Sequence, residues 1–217
     1  MQIIGLDPTT TEFRVAWERQ RRIHARVVTG TSPNTLYLVE HDAVYTAGVR
    51  TLRQDLPANG ADVVKVDRGG RITWHGPGQL VAYPIFHLPR PLDVVAYVRD
   101  LENTLIAALT YLDISGYTRA GKTGVWVRTA QGRPAKIASI GVRVQQGVSL
   151  HGVALNCSNS LTPFTQIVPC GLTGEAVTTI SAELGRTVTP SDVSPLLSAA
   201  FHDLDSTYRH ASPRSLV

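Results

Sequence analysis

The scarce reactive side chains of this 217-residue chain are two thiols, Cys157 and Cys170, and three lysines, Lys65, Lys122 and Lys136. Cys170 stands between Pro169 and Gly171 in Ile167-Val168-Pro169-Cys170-Gly171-Leu172, a turn composition that presents a thiol rather than packing it. The competing reading is a small buried hydrophobe, the commoner fate of a free cysteine. Cys157, in Ala154-Leu155-Asn156-Cys157, follows a strand and reads as core. No C-x-x-C spacing supports a redox pair. Lys136 lies in Pro134-Ala135-Lys136-Ile137-Ala138-Ser139-Ile140-Gly141, an apolar, small-residue strand. Burial penalises the ammonium form of a lysine and can make it a base near neutral pH. Alternatively, an edge-strand lysine lays its stem on apolar surface and reaches water with its head.

Two further segments hold polar groups among glycines. Arg68-Gly69-Gly70-Arg71-Ile72-Thr73-Trp74-His75-Gly76-Pro77-Gly78-Gln79 brings backbone N–H groups within reach of a ligand. It lacks the G-K-[ST] ending and strand–helix spacing of a nucleotide loop, and the alternative is a glycine-rich hairpin with an incidental histidine. In His151-Gly152-Val153-Ala154-Leu155-Asn156, His151 and Asn156 are polar anchors on an apolar strand. His24, His41, His87, His202 and His210 form no constellation, and no His/Cys/carboxylate spacing fits zinc.

These residues need elements to carry them. The patterns predict strands at Gln2–Leu6, Thr35–Glu40, Ala43–Thr46 and Gln79–His87, with Pro84 marking an edge or bulge. Val63–Asp67 and Arg71–His75 flank a Gly69-Gly70 turn. Further strands fall at Gly124–Arg128, Ala135–Gln145 and Val148–Leu155, the last two joined at Gly147. Asp7-Pro8 looks like the start of a helix running to about Thr29. The steps Val94, Val98, Leu101, Leu105, Ala108 and Leu112 mark a helix from about Pro91 to Leu112, capped by Asp93. A short helix near Thr178–Leu184 stops at Gly185, and the last starts near Pro190 or Ser191. Strands and helices without strict alternation predict a single mixed-sheet α/β (or α+β) domain over residues 1–210, with a frayed tail at 211–217.

Composition bounds the class. Lys and Arg exceed Asp and Glu by 21 to 17, a net charge of +4, which points only weakly to acidic partners. No run of about eighteen apolar residues is present, so no membrane helix is expected. The N-terminus lacks the pattern of a signal peptide. Two cysteines are too few for a secreted disulfide framework, so a soluble, cytoplasmic protein is expected. No arginine stripe interleaved with aromatics supports nucleic-acid binding.

Together the segments RGGRITWHGPGQLVAYPI, AKIASIGVRV, HGVALNC and PCGL, with the flanks HDAVYTAG and GKTGVWV, resemble the lipoyl/octanoyl transferase family over most of the chain. The resemblance implies a biotin/lipoyl-ligase-type domain related to class II synthetase catalytic domains. It implies transfer of an octanoyl or lipoyl group from acyl carrier protein to a lysine on lipoyl domains, those of the glycine-cleavage H protein and the E2 subunits of 2-oxo acid dehydrogenases. It assigns Cys170 as acyl-thioester nucleophile and Lys136 as its basic partner. The acyl pocket is then Arg68, Gly69, Gly70, Arg71, Ile72, Thr73, Trp74 and His75, with Ser139, Ile140 and Gly141 and with Gly152, Val153 and Ala154. Arg71 and Trp74 sit at positions that vary in that family, and Cys157 receives no role.

No cofactor or metal is expected beyond the phosphopantetheine that delivers the acyl group, and a monomer is expected. A free thiol with a pKa of about 8.5 is only a few per cent ionised at neutral pH, so the amine of Lys136 would take its proton. Small residues at Gly141 and Gly152 would leave room for an acyl tail. Backbone N–H groups near Cys170-Gly171, with His75, are candidate donors to the oxyanion. Rival expectations are an ATP-dependent lipoate or biotin ligase of the same fold, a cysteine thioesterase, and an acyl-binding module without catalysis.

Overall fold

The computed structural model describes residues 1–167 and 175–211. The expectations for Cys170 and Gly171, and for a tail beyond residue 211, lie outside the described residues.

Strand β1 (Gln2–Ile4) is followed by helix α1 (Phe13–Val28). Asp7-Pro8 does not open that helix. Glu12 caps it instead, its carboxylate accepting from Val15 N at 2.9 Å, while Asp7 accepts from Arg19. The buried side is Phe13, Ala16, Gln20, His24 and Val27, a stripe at helical spacing. Next come β2 (Thr35–Val39), β3 (Val44–Ala47), a 3-10 turn at Arg53–Asp55, β4 (Val63–Lys65), β5 (Ile72–His75) and β6 (Gln79–Ile85). Helix α2 (Val94–Thr110) begins where Asp93 Oδ1 accepts from both Val95 N and Ala96 N at 2.9 Å. After it run β7 (Tyr117–Arg119), β8 (Lys122–Arg128), β9 (Pro134–Gln145) and β10 (Val148–Asn156). A 3-10 turn at Thr162–Gln166, β11 (Ala176–Val177), α3 (Ile180–Leu184) and α4 (Pro190–Ala211) complete the order.

The large sheet runs β1-β2-β6-β10-β9-β8-β7, with β11 added parallel to β9. The β9–β10 hairpin turns through Gln146 and Gly147, both at positive φ, the geometry that matches strand twist. Helices α2 and α4 cover one face, burying Leu101, Leu105, Leu197 and Phe201 against Leu36, Leu80 and Val153. Helix α1 covers the other, where Ala16 and Val27 meet Tyr37, Val81 and Tyr83.

Two expectations are corrected. The stretches on either side of Gly69-Gly70 do not form a hairpin, because β3 lies between them in a small sheet ordered β4-β3-β5. The Arg68 guanidinium donates to Thr46 O at 2.8 Å and to Arg71 O at 2.8 Å, pinning the connecting loop onto β3. Pro84 is not on an edge, since β6 is flanked by β2 and β10. Its missing N–H is accommodated by an interruption: the β6–β10 register runs over 79–82, and beyond it Ser149 Oγ donates to Pro84 O at 2.6 Å and accepts from Phe86 N at 3.0 Å.

Candidate active site

A cavity of about 400 Å³ opens where β5, β9 and β10 converge with the 68–71 loop. It draws side chains from both faces of the large sheet: Tyr83 and Ala154 from the α1 side, Val142 and Val153 from the α2 side. The strands pass each other there at Gly141 and Gly152, register partners across β9 and β10 that present no side chain.

Of the sequence-predicted pocket residues, Arg68, Gly69, Gly70, Arg71, Thr73, His75, Ser139, Ile140, Gly141, Gly152, Val153 and Ala154 all line this cavity, together with Lys136. Ile72 and Trp74 do not. Alternation along β5 aims Thr73 and His75 at the cavity and turns Ile72 and Trp74 into a separate cluster with Tyr45 and Phe164. The small residues also act differently from a simple clearance for a ligand. A Cβ at Gly141 would lie 2.9 Å from Arg68 Cδ and 3.0 Å from Gly69 O, and one at Gly152 would strike Ala82 O. Both glycines therefore let protein approach protein, and the cavity wall follows from that approach. Arg71 Nε donates to Asp55 Oδ2 at 2.7 Å, anchoring the loop below the cavity, while Asp55 in turn accepts from Leu52 N.

Lys136 is no edge-strand lysine. Its segment of β9 is flanked by β8 on one side and β11 on the other, and only 6% of the residue is exposed. Nζ sits 5.8 Å from the Trp126 ring centroid and makes no hydrogen bond or ion pair with the described residues. Gly124, at φ +117°, gives its stem passage, since a Cβ there would lie 2.6 Å from Lys136 Cε. A buried amine of this kind is an available proton carrier. Cys157 is the opposite case. It is fully buried, Sγ donates to Leu155 O at 3.6 Å, and burial pushes its thiol up to about 12, so it is packing and not a nucleophile.

A histidine-rich wall faces the cavity from the α1 side. His75 Nδ1 lies 2.7 Å from Gln79 Oε1, and its ring stacks 6.3 Å from Phe13. His41 Nδ1 donates to Thr11 O, so its Nε2 accepts the Tyr83 hydroxyl at 2.7 Å. Burial brings His41 down to about 4 and His75 to about 3, so both rings are neutral at physiological pH. His151, in the left-handed region at φ +58°, donates from Nε2 to Asp67 Oδ1 at 2.7 Å. Burial lowers His151 also, against the pull of the Asp67 carboxylate. That bond, with Arg143 paired to the same carboxylate, holds Asp67 down at about 2.

The cavity also takes Phe13, Tyr83, Val94 and Val98, which no sequence pattern singles out for a site, while His41 and Asp67 hold Tyr83 and His151 from behind. His41 has no constellation in the sequence because its neighbours come from β6 and from Thr11. No local spacing could reveal them. Among the described residues, no cluster of three His, Cys, Asp or Glu side chains is placed to hold a metal ion, and no helix is long and apolar enough to cross a membrane.

Comparison with known proteins agrees with the resemblance. An octanoyltransferase of Clavibacter michiganensis subsp. michiganensis is 54% identical over 199 residues, covering 90% of this chain and 85% of its own. One of Leifsonia xyli subsp. xyli is 51% identical over 215 residues, covering 97% and 94%. The mixed-sheet α/β fold is shared with a solved lipoate-protein ligase A bound with ATP, at a TM-score of 0.67 and 15% identity over 99% of this chain and 88% of that one. The model of the lipoyl protein ligase A/B catalytic domain matches residues 12–202, and the chain belongs to that family.

Proposed function

We propose that this protein transfers an octanoyl (or lipoyl) group from acyl carrier protein to a lysine of a lipoyl domain, through a thioester on Cys170 with Lys136 as the base. The observation that carries this reading is Lys136, a buried lysine on the wall of a cavity lined by the segments on which the family resemblance rests.

In the first step the Cys170 thiol gives its proton to Lys136 and its sulfur attacks the carrier thioester. The new C–S bond forms, the carrier C–S bond breaks, and the departing thiolate recovers the proton. In the second step the lysine amine attacks the acyl-enzyme. A C–N bond forms, the bond to Cys170 breaks, and the proton lost by the amine returns to the thiol through Lys136. No cofactor is needed beyond the phosphopantetheine of the carrier. The acceptors are lipoyl domains such as those of the glycine-cleavage H protein and E2 subunits. A monomer in the reducing cytoplasm suits this chemistry.

The test is intact-mass measurement after incubation with octanoyl-acyl carrier protein. A hydroxylamine-labile octanoyl adduct is expected on wild type and not on Cys170→Ser. No adduct on wild type, or one that persists on Cys157 in the variant, overturns the reading. Labelling from ATP and free octanoate would favour a ligase, and octanoate release without an acceptor a thioesterase.

A further inference from the structure

Four hydrogen bonds fix which nitrogen of His75 carries its proton. Thr178 O can only accept, so Asn156 Nδ2 donates to it at 3.0 Å, which turns Asn156 Oδ1 toward Gln79. Gln79 Nε2 donates to that oxygen at 2.9 Å and to Trp74 O at 3.3 Å, leaving Gln79 Oε1 as the acceptor 2.7 Å from His75 Nδ1. His75 is therefore protonated on Nδ1. Its Nε2 is bare and has no partner among the described residues, and the ring lines the cavity. Nearby, Tyr83 has committed its O–H to His41, so its oxygen offers only lone pairs to the same cavity.

One wall of the cavity thus presents acceptors, and Lys136, which takes the proton in the second step, lines the same cavity. Acyl transfer to an amine needs such acceptors: by holding the N–H groups of the nucleophile they direct its lone pair at the carbonyl carbon. From this we infer that the His75–Tyr83 wall receives the acceptor lysine's amine, with His75 Nε2 accepting one of its N–H bonds and aiming the nitrogen lone pair at the thioester. His75 is then not an oxyanion donor. It removes no proton; burial holds it too weakly basic for that, and its part is orientation. The inference rests on the transferase reading above and concerns its second step.

Acylation and transfer are to be measured separately, the first with octanoyl-acyl carrier protein alone and the second as single-turnover delivery to a lipoyl domain. His75→Asn keeps a donor near the Nδ1 position and removes Nε2. It should slow transfer about ten- to a hundred-fold, the effect of one lost hydrogen bond in the transition state, and slow acylation far less. His75→Gln, which restores a polar atom near the Nε2 position, should recover part of the transfer rate. Nitrogen-15 NMR of the wild type should show a protonated Nδ1 and a bare Nε2. Equal loss in both steps, unaltered transfer in His75→Asn, or a protonated Nε2 overturns the proposal while leaving the transferase reading intact. A wild type that takes up no acyl group overturns both.

Discussion

Glu102, fully buried on α2, accepts the backbone N–H of Gly124 at 2.8 Å. The same carboxylate pairs with Arg99. Gly124 is the residue past which the Lys136 stem runs, so a helix carboxylate holds the strand that shapes the lysine's berth. Glu102→Ala leaves the Gly124 N–H buried and unpaired, at a cost of about 1–3 kcal/mol. Glu102→Gln keeps an acceptor and should lose less. Urea denaturation of the two variants checks the order, and equal midpoints would remove Glu102 from this role.

The glycines of the site should separate by what surrounds them. Gly152→Ala drives a Cβ into Ala82 O, and Gly124→Ala meets Ala138 O at positive φ. Each should destabilise by about 1–3 kcal/mol or more. Gly5→Ala has nothing within 4 Å and should change stability by no more than about 0.5 kcal/mol. Thermal melts of the three proteins decide this.

Lys136→Met keeps the length of a side chain whose amine has no hydrogen-bond or ionic partner among the described residues. The fold should survive with an unchanged or higher Tm, because an apolar side chain of similar length avoids burying a polar group without a partner. Enzyme acylation should fall by about 10²–10⁴-fold, the usual worth of proton transfer. A melt alongside the acylation assay separates the two effects, and retained acylation would exclude Lys136 as the base.

Asp67 makes acid stability sensitive to one surface carboxylate. Its folded pKa of about 2 lies below its ordinary 3.8, so its contribution is present above pH 4 and is lost as pH falls toward 2. Asp67→Asn should flatten that part of the stability curve and leave the alkaline side unchanged. Solvent screening keeps the effect small. Stability against pH for wild type and variant is the measurement, and parallel curves between pH 4 and 2 would contradict it.

Much of the scaffold was legible because its signals are local. The α2 stripe, the Asp93 cap and the Gly147 hairpin follow from periodicity and turn chemistry alone. Asp7-Pro8 misled because a good capping pair was outcompeted by Glu12, which lies directly before the apolar stripe. Pro84 misled because Ser149, more than sixty residues away, supplies hydrogen bonding that no local rule anticipates. Trp74 sat correctly on a strand, and period two alone would have placed it opposite His75.

By itself the sequence determined the reactive inventory: few lysines, two cysteines, and glycines where chains must pass closely. It also determined the family segments that name the chemistry. Tertiary structure decided what those groups can do. Burial between β8 and β11 isolates Lys136, burial silences Cys157, and a relay through Gln79 and Asn156 sets the His75 proton. Each depends on partners distant in the chain, because desolvation and hydrogen-bond direction are properties of a packed neighbourhood rather than of a residue type.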